Sequence, residues 1–134
     1  MAGYSGTPLP QKLGIRSGHR VVVLGAPGGF ALALPAGARQ STRLVAGTDI
    51  VLLFVRSRVE LPRKFGTAKA KLAPAGGLWV AWPKKASGVP TDLTEDVIRA
   101  HALDAGLVDN KVCAIDEIWS GLRCVFRLAD RPRG

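Results

Sequence analysis

Glycines or cations follow each of three apolar segments, at residues 21–24, 50–55 and 78–82, that are typical of buried strands. They are Gly25, Gly28 and Gly29 after the first segment, Arg56 and Arg58 after the second, and Lys84 and Lys85 after the third. Because the carboxyl ends of parallel strands meet at one edge of a sheet, we expect these residues to lie together. Glycine lets a ligand approach the backbone, and lysine and arginine attract phosphates and carboxylates. The pattern predicts ligand binding at a cationic edge.

The glycine-rich segment at residues 25–29 departs from the common phosphate-binding motifs. It does not have the G-x-G-x-x-G spacing, it lacks the lysine of a P-loop, and Pro27 removes one backbone amide donor. A tight strand-to-helix turn without a ligand explains the glycines equally well. The lysines and arginines could likewise belong to a solvated loop and an exposed first helical turn, so both interpretations stay open.

The charge of the chain is positive and unevenly distributed. Its 134 residues include 19 Lys and Arg against 10 Asp and Glu, a formal net charge of +9. Residues 1–91 hold 13 of the cations against two acids, a net charge of +11, whereas residues 92–134 hold 6 cations against 8 acids, a net charge of −2. This asymmetry favours an anionic small molecule, an acidic partner or nucleic acid, with a solvated basic surface as the alternative.

Length and periodicity predict one α/β domain over residues 1–134, since 47% hydrophobic residues exclude a disordered chain. We expect a mainly parallel sheet of five or six strands, helices on both faces and a C-terminal antiparallel hairpin. Residues 1–18 are expected to form an N-terminal extension and residues 130–134 a frayed tail. The expected strands are residues 19–24, 40–46, 50–55, 78–82, 111–115 and 122–128.

Helices are expected at residues 30–34, 57–72 and 92–105. Ser57 with Glu60, and Asp92 with Glu95, have the spacing of a capping box, which is typical of a helix start. Pro62 is expected to kink or divide the second helix because a proline inside a helix removes a hydrogen bond.

Residues that could hold a metal or form a catalytic triad show no telling spacing. Cys113 and Cys124, the only cysteines, are interpreted as small buried apolar side chains rather than as a disulfide or metal ligands. His19 and His101 have no nucleophile or carboxylate at a triad spacing, so we assign no catalytic residue and no metal. The apolar run at residues 50–55 is too short to cross a bilayer, and the first residues lack the order of a signal peptide, so we expect a cytoplasmic protein without a membrane partner.

Several short motifs carry a resemblance to a known family. Residues 3–9, 12–15, 82–88, 91–96 and 119–122 resemble a family of short bacterial proteins that is classed as a domain of unknown function. This resemblance implies no activity.

A looser resemblance is to the class I S-adenosylmethionine-dependent methyltransferases. It is carried by residues 13–29, 48–55, 72–85 and 106–129, which look like the first, fourth and fifth strands and the closing hairpin of those enzymes. The resemblance implies a truncated Rossmann-like domain in which Gly25, Gly28 and Gly29 line the cofactor, S-adenosylmethionine or a nucleotide.

Three hypotheses about function follow. The first is non-catalytic binding of an anionic ligand or partner at the carboxyl edge of the sheet. The second is nucleic-acid binding through the basic segment at residues 56–71. The third is a reduced S-adenosylmethionine-dependent methyltransferase.

Overall fold

The computed structural model describes residues 7–131, which form one sheet with helices packed against it. The elements, in chain order, are α1 (Leu9–Lys12), β1 (Arg20–Leu24), β2 (Arg39–Ser41), β3 (Thr48–Phe54), α2 (Leu61–Lys71), β4 (Leu72–Pro83), α3 (Glu95–Asp104), β5 (Leu107–Ala114) and β6 (Trp119–Phe126). Single 3₁₀ turns occur at Lys85–Ser87 and Leu128–Asp130. The frayed tail predicted for residues 130–134 lies mostly outside the described residues, as do residues 1–6 of the predicted N-terminal extension.

The six strands follow the order β2-β1-β3-β4-β6-β5. Strands β2, β1, β3 and β4 are parallel to their neighbours, whereas β4 with β6 and β6 with β5 are antiparallel. The prediction of a mainly parallel sheet was therefore wrong, because the paired residues divide evenly between parallel and antiparallel ladders. The C-terminal hairpin causes the difference, since it inserts β6 directly beside β4.

The prediction of helices on both faces was also wrong. Both long helices cover one face, where Leu61 and Phe65 of α2 and Ile98 of α3 pack with Val51 and Val80 of the sheet. We call this the helix face. The opposite face is covered by the N-terminal segment and by the loop between β1 and β2, which bury Leu13 and Ile15 and partly bury Phe30 and Leu34.

Residues 30–34 form no helix, contrary to expectation. Phe30, Leu32 and Leu34 are half-buried while Ala31 and Ala33 are exposed. This alternation has the period of extended chain rather than of a helix, so the three large side chains reach the sheet as a strip. The absent helix is one reason why the layout is not Rossmann-like.

Both predicted capping boxes were wrong in detail. Helix α2 begins at Leu61, so Pro62 occupies its first turn, where proline needs no amide partner and causes no kink. The Ser57 hydroxyl donates to the Glu60 carboxylate rather than capping the backbone. Helix α3 is capped by Thr94, whose Oγ1 accepts from the Val97 amide at 3.2 Å. Asp92 instead accepts a hydrogen bond from the Arg58 amide at 2.8 Å.

The cysteines lie on neighbouring strands but not opposite each other. Cys113 is in register with Gly121, and Cys124 with Asp109, and both thiols are free. Burial raises the pKa of the Cys124 thiol to about 12, so this side chain is protonated and inert at neutral pH. The interpretation of Cys124 as a small buried apolar side chain is confirmed, whereas Cys113 is only half-buried.

Within residues 7–131, no helix has the length and apolar character that crossing a bilayer requires.

Candidate ligand-binding edge of the sheet

The carboxyl ends of β1, β3 and β4 meet at one edge of the sheet, and this part of the prediction is confirmed. Leu24 of β1 is in register with Leu53 of β3, and Leu53 with Val80 of β4, in parallel ladders. The chain segments that follow the three strands therefore leave the sheet on the same side.

Gly25 is required where β1 ends. Its φ of +70° is in the left-handed region, and a Cβ atom there would lie 2.9 Å from the carbonyl oxygen of Phe54 in the neighbouring strand. Gly28 and Gly29 are exposed, with no atom within 4 Å of where a Cβ would stand. Close packing between strands thus explains the first glycine, whereas Gly28 and Gly29 have open space around them.

Arg56 joins the ends of two strands to the C-terminal hairpin. Its Nη1 atom donates to the Gly25 carbonyl at 3.0 Å, and its guanidinium carbon lies 5.0 Å from the centre of the Trp119 ring. The side chain is nevertheless exposed, so its other donors face solvent. Arg56 therefore stabilises the edge whether or not a ligand binds there.

The other predicted cations each have different surroundings. Lys84 is half-buried and its Nζ atom donates to the Asp116 carbonyl at 2.8 Å, which ties β4 to the turn between β5 and β6. Lys85 is exposed and begins the 3₁₀ turn. Arg58 lines a groove between α2 and α3 together with Asp96. The three strand ends come together, whereas the contacts of the cations that follow them differ.

An apolar cleft opens at this edge, on the helix face, with a volume of about 650 Å³. We call it the edge cleft. It lies between the end of β1 and α2, and Leu24, Leu44, Leu53 and Val59 contribute apolar lining. Its origin is topological: α2 covers β3 and β4, while the connection from β2 to β3 crosses over β1 without forming a helix. The helix face is therefore incompletely covered beside Leu24, which is only half-buried.

The polar side of the edge cleft belongs to the first turns of α2 and contains Glu60, Arg63 and Lys64. Glu60 is held at both carboxylate oxygens, by Lys64 Nζ at 2.8 Å and by Ser57 Oγ at 3.1 Å. Burial alone would raise the pKa of the Glu60 carboxyl, but the hydrogen bonds from Lys64 and Ser57 outweigh it and hold this pKa below its ordinary value. Glu60 is consequently an ionised, weakly basic carboxylate.

Arg63 is exposed on the wall of the edge cleft. Among residues 7–131, its guanidinium has no hydrogen-bond or ion-pair partner. Sequence reasoning placed Arg63 and Lys64 in the basic segment at residues 56–71 but did not identify them, or Leu44, as lining residues of a cleft. Their positions depend on where α2 begins and on which face of the sheet it covers.

The part of the chain that the structure describes contains no cluster of three or more histidine, cysteine or acidic side chains that could hold a metal ion.

No protein-family model matches this chain, and no curated protein matches it. The resemblances to a family of short bacterial proteins and to class I methyltransferases are therefore corrected: neither family is shown. The fold gives the physical reason for the second correction, since the mixed sheet carries its long helices on one face only. The fold and the site together define a small domain with one six-stranded mixed sheet and an open, amphipathic cleft at the edge of that sheet.

Proposed function

We propose that this protein binds a small amphipathic anion in the edge cleft and that its role is binding rather than catalysis. The apolar part of the ligand would lie against Leu24, Leu44 and Leu53, and its anionic group would face Arg63. The single observation that carries the proposal is an apolar cleft of about 650 Å³ with a guanidinium on its wall that has no partner within residues 7–131.

The dimensions and lining of the edge cleft favour a small molecule. Binding sites for drug-sized ligands have volumes of roughly 300–1,000 Å³ and combine a mainly apolar surface with a few polar groups. Burial of apolar ligand surface would supply most of the affinity, at about 25 cal/mol per Å². A guanidinium would orient the ligand, because its planar fork of donors matches a carboxylate or phosphate.

The carboxylate in the edge cleft favours binding over acid–base chemistry. A general base works best when its pKa lies near the working pH. The pKa of Glu60 is lowered instead, and both of its oxygens already accept hydrogen bonds within α2 and its preceding turn. We therefore give Glu60 a structural role, which is to position Lys64 on the wall.

An anionic apolar dye, 1-anilinonaphthalene-8-sulfonate, tests the proposal by fluorescence titration. We expect Arg63→Gln to raise the dissociation constant about fivefold to tenfold, which corresponds to about 1–1.4 kcal/mol, the net contribution of one solvent-exposed hydrogen bond. Leu44→Gln should weaken binding to a similar degree, because it places an amide on the apolar surface.

Lys71→Gln is the matched control, since it removes an exposed cation from the same helix outside the edge cleft. Dodecanoate should displace the dye from the native protein. Equal affinity of the native, Arg63→Gln and Leu44→Gln proteins for the dye would remove the proposal.

Nucleic-acid binding through residues 56–71 is the second candidate, and one observation favours it. Arg63, Lys64 and Lys71 are all exposed on α2, and of these three only Lys64 forms an ion pair within residues 7–131, with Glu60. Lys64 and Lys71 are seven residues apart and so lie on nearly the same side of the helix. Such a stripe suits a phosphate backbone.

The salt dependence of affinity separates the two functions. Binding of a single-stranded oligonucleotide through α2 should weaken steeply as the salt concentration rises. Lys71→Gln should reduce the slope of log affinity against log salt concentration by about one. Dye binding in the edge cleft should depend weakly on salt and should not respond to Lys71→Gln. A flat salt response with an oligonucleotide, or no binding, would exclude the second candidate.

A further inference from the structure

A second, smaller cavity lies at the opposite edge of the sheet, where β1, β2 and β3 begin. Its volume is about 280 Å³, and its side-chain lining is polar: His19, Arg20, Arg39 and Asp49. We call it the amino-edge pocket. It shares no lining residue with the edge cleft, so what it binds is independent of the function proposed above.

Two arginines stand side by side in the amino-edge pocket. Arg20 of β1 and Arg39 of β2 are directly paired in the parallel ladder, and both are exposed. Residues paired in this way project from the same face of the sheet, and like charges in that position destabilise it. Arg20 donates to the Ala46 carbonyl at 3.4 Å, whereas the Arg39 guanidinium has no hydrogen-bond or ion-pair partner among residues 7–131.

Asp49 does not neutralise this arginine pair. Its Oδ2 atom accepts from the backbone amide of Arg20 at 2.8 Å, and within residues 7–131 it forms no ion pair with either guanidinium. Two guanidinium groups and one carboxylate leave the pocket with a net charge of +1. One negative charge would balance it.

His19 adds a hydrogen-bond donor. Its Nδ1 atom accepts from the Arg16 amide at 3.1 Å, so the neutral ring carries its proton on Nε2. The pocket lining therefore includes two arginines and a histidine whose other ring nitrogen is a donor.

We propose that the amino-edge pocket binds one oxyanion group, a phosphate or a carboxylate, between Arg20 and Arg39. A guanidinium group supplies donors that match two oxygens of such a group, and an anion between the two arginines would offset their like charge. The volume of about 280 Å³ is sufficient for such a group. Inorganic phosphate and acetate serve as probes for the two kinds of oxyanion.

Thermal unfolding with inorganic phosphate and with acetate, each at the same ionic strength as a chloride reference, tests the pocket. At about 10 mM phosphate, we expect the melting temperature of the native protein to rise by about 3 °C relative to chloride. Arg39→Gln should abolish this rise. In chloride, the melting temperature of the variant should equal or exceed that of the native protein, because the substitution removes the like-charge pair. Arg43→Gln, which removes a nearby exposed cation outside the pocket, should respond as the native protein does.

Backbone amide NMR shows where the anion binds. Phosphate should shift the amides of Gly37, Arg39 and Gly47, which belong to the pocket, and leave those of Arg63 and Lys64 unchanged. A larger effect of acetate than of phosphate would assign the pocket to carboxylates, and the reverse to phosphates.

Three results would overturn the proposal: phosphate and acetate that act no differently from chloride, an Arg39→Gln variant that responds like the native protein, or amide shifts confined to the edge cleft. Asp49→Asn provides an independent check. Since it removes the one acid but keeps an acceptor for the Arg20 amide, it should tighten phosphate binding more than Asp104→Asn, an exposed acid outside the pocket. Equal effects of the two substitutions would also count against a specific site.

Discussion

Arg56 donates a hydrogen bond to the carbonyl oxygen of Gly25, with 3.0 Å between Nη1 and the oxygen. The bond connects the chain after β3 with the chain after β1, and the same guanidinium lies over the Trp119 ring of β6. One side chain thus joins the parallel half of the sheet to the antiparallel half at the edge where the ligand is proposed to bind.

Replacement of Arg56 by alanine should reduce the free energy of unfolding by about 1–2 kcal/mol, the sum of one hydrogen bond and one cation–π contact. Urea denaturation measures the change. Arg58→Ala is the control, because its exposed side chain has no hydrogen bond among the described residues, and it should cost less than about 0.5 kcal/mol. If the two variants have the same stability, the role assigned to Arg56 is wrong.

Replacement of Trp79 by phenylalanine should loosen the N-terminal segment. The buried indole Nε1 donates to the Leu13 carbonyl at 3.0 Å, and phenylalanine leaves that carbonyl unpaired. We expect the free energy of unfolding to fall by about 2 kcal/mol or more, and hydrogen exchange around Leu13 to become faster. Trp82→Phe is the control on the helix face, and it should leave exchange around Leu13 unchanged. Equal exchange in both variants would contradict the prediction.

Replacement of Thr94 by alanine should reduce the free energy of unfolding by about 1 kcal/mol, because it removes the N-cap of α3. Thr94→Ser, which keeps the hydroxyl, should retain most of the native stability. Asp92→Ala should act elsewhere, since its carboxylate accepts from the Arg58 amide rather than from α3. Hydrogen exchange distinguishes the two variants. The Val97 amide should exchange faster in Thr94→Ala, and the Arg58 amide should exchange faster in Asp92→Ala. Faster exchange of the Val97 amide in Asp92→Ala would support the capping box predicted from the sequence and contradict the role assigned to Thr94.

The pH dependence of stability should change when Glu60 is replaced by glutamine. The pKa of this carboxyl is lowered from 4.5 in the folded protein, so its contribution is present above that pH and is lost as the pH falls through the folded pKa. The native protein should therefore be more stable than Glu60→Gln near neutral pH, and the difference should shrink on acidification below about pH 4.5.

Urea denaturation over a pH series measures this difference, with Glu117→Gln, an exposed acid in the turn after β5, as the control. A stability difference between the native protein and Glu60→Gln that is constant across the series would show that Glu60 makes no pH-dependent contribution.

The positions of the long buried strands were predictable because they depend on local composition, whereas the strand expected at residues 40–46 is only Arg39–Ser41. The continuous apolar side chains at residues 21–24 and 50–55 are removed from water only when both faces of each strand are buried. The two segments form neighbouring parallel strands. The hairpin of β5 and β6 was also anticipated. The helix at residues 30–34 was not predicted correctly, since a run this short does not distinguish helical from extended periodicity, and the surface that Phe30 meets decides between them.

The positions of the candidate site residues could be predicted only in part. That Gly25, Arg56 and Lys84 share an edge followed from the direction of the strands. What their side chains contact did not, because Arg56 reaches Trp119 and Lys84 reaches Asp116, both far along the chain in the C-terminal hairpin. The edge cleft depends on a connection that crosses β1 without a helix.

The amino-acid sequence by itself determined the excess of positive charge in the first two thirds of the chain and the buried strands, since each depends on residues adjacent in the chain. Only the tertiary structure decided that both long helices lie on one face, that Arg63 borders an apolar cleft and that Arg20 and Arg39 stand together. The physical reason is that these features arise from strand order and register, which are set by contacts between residues far apart in sequence.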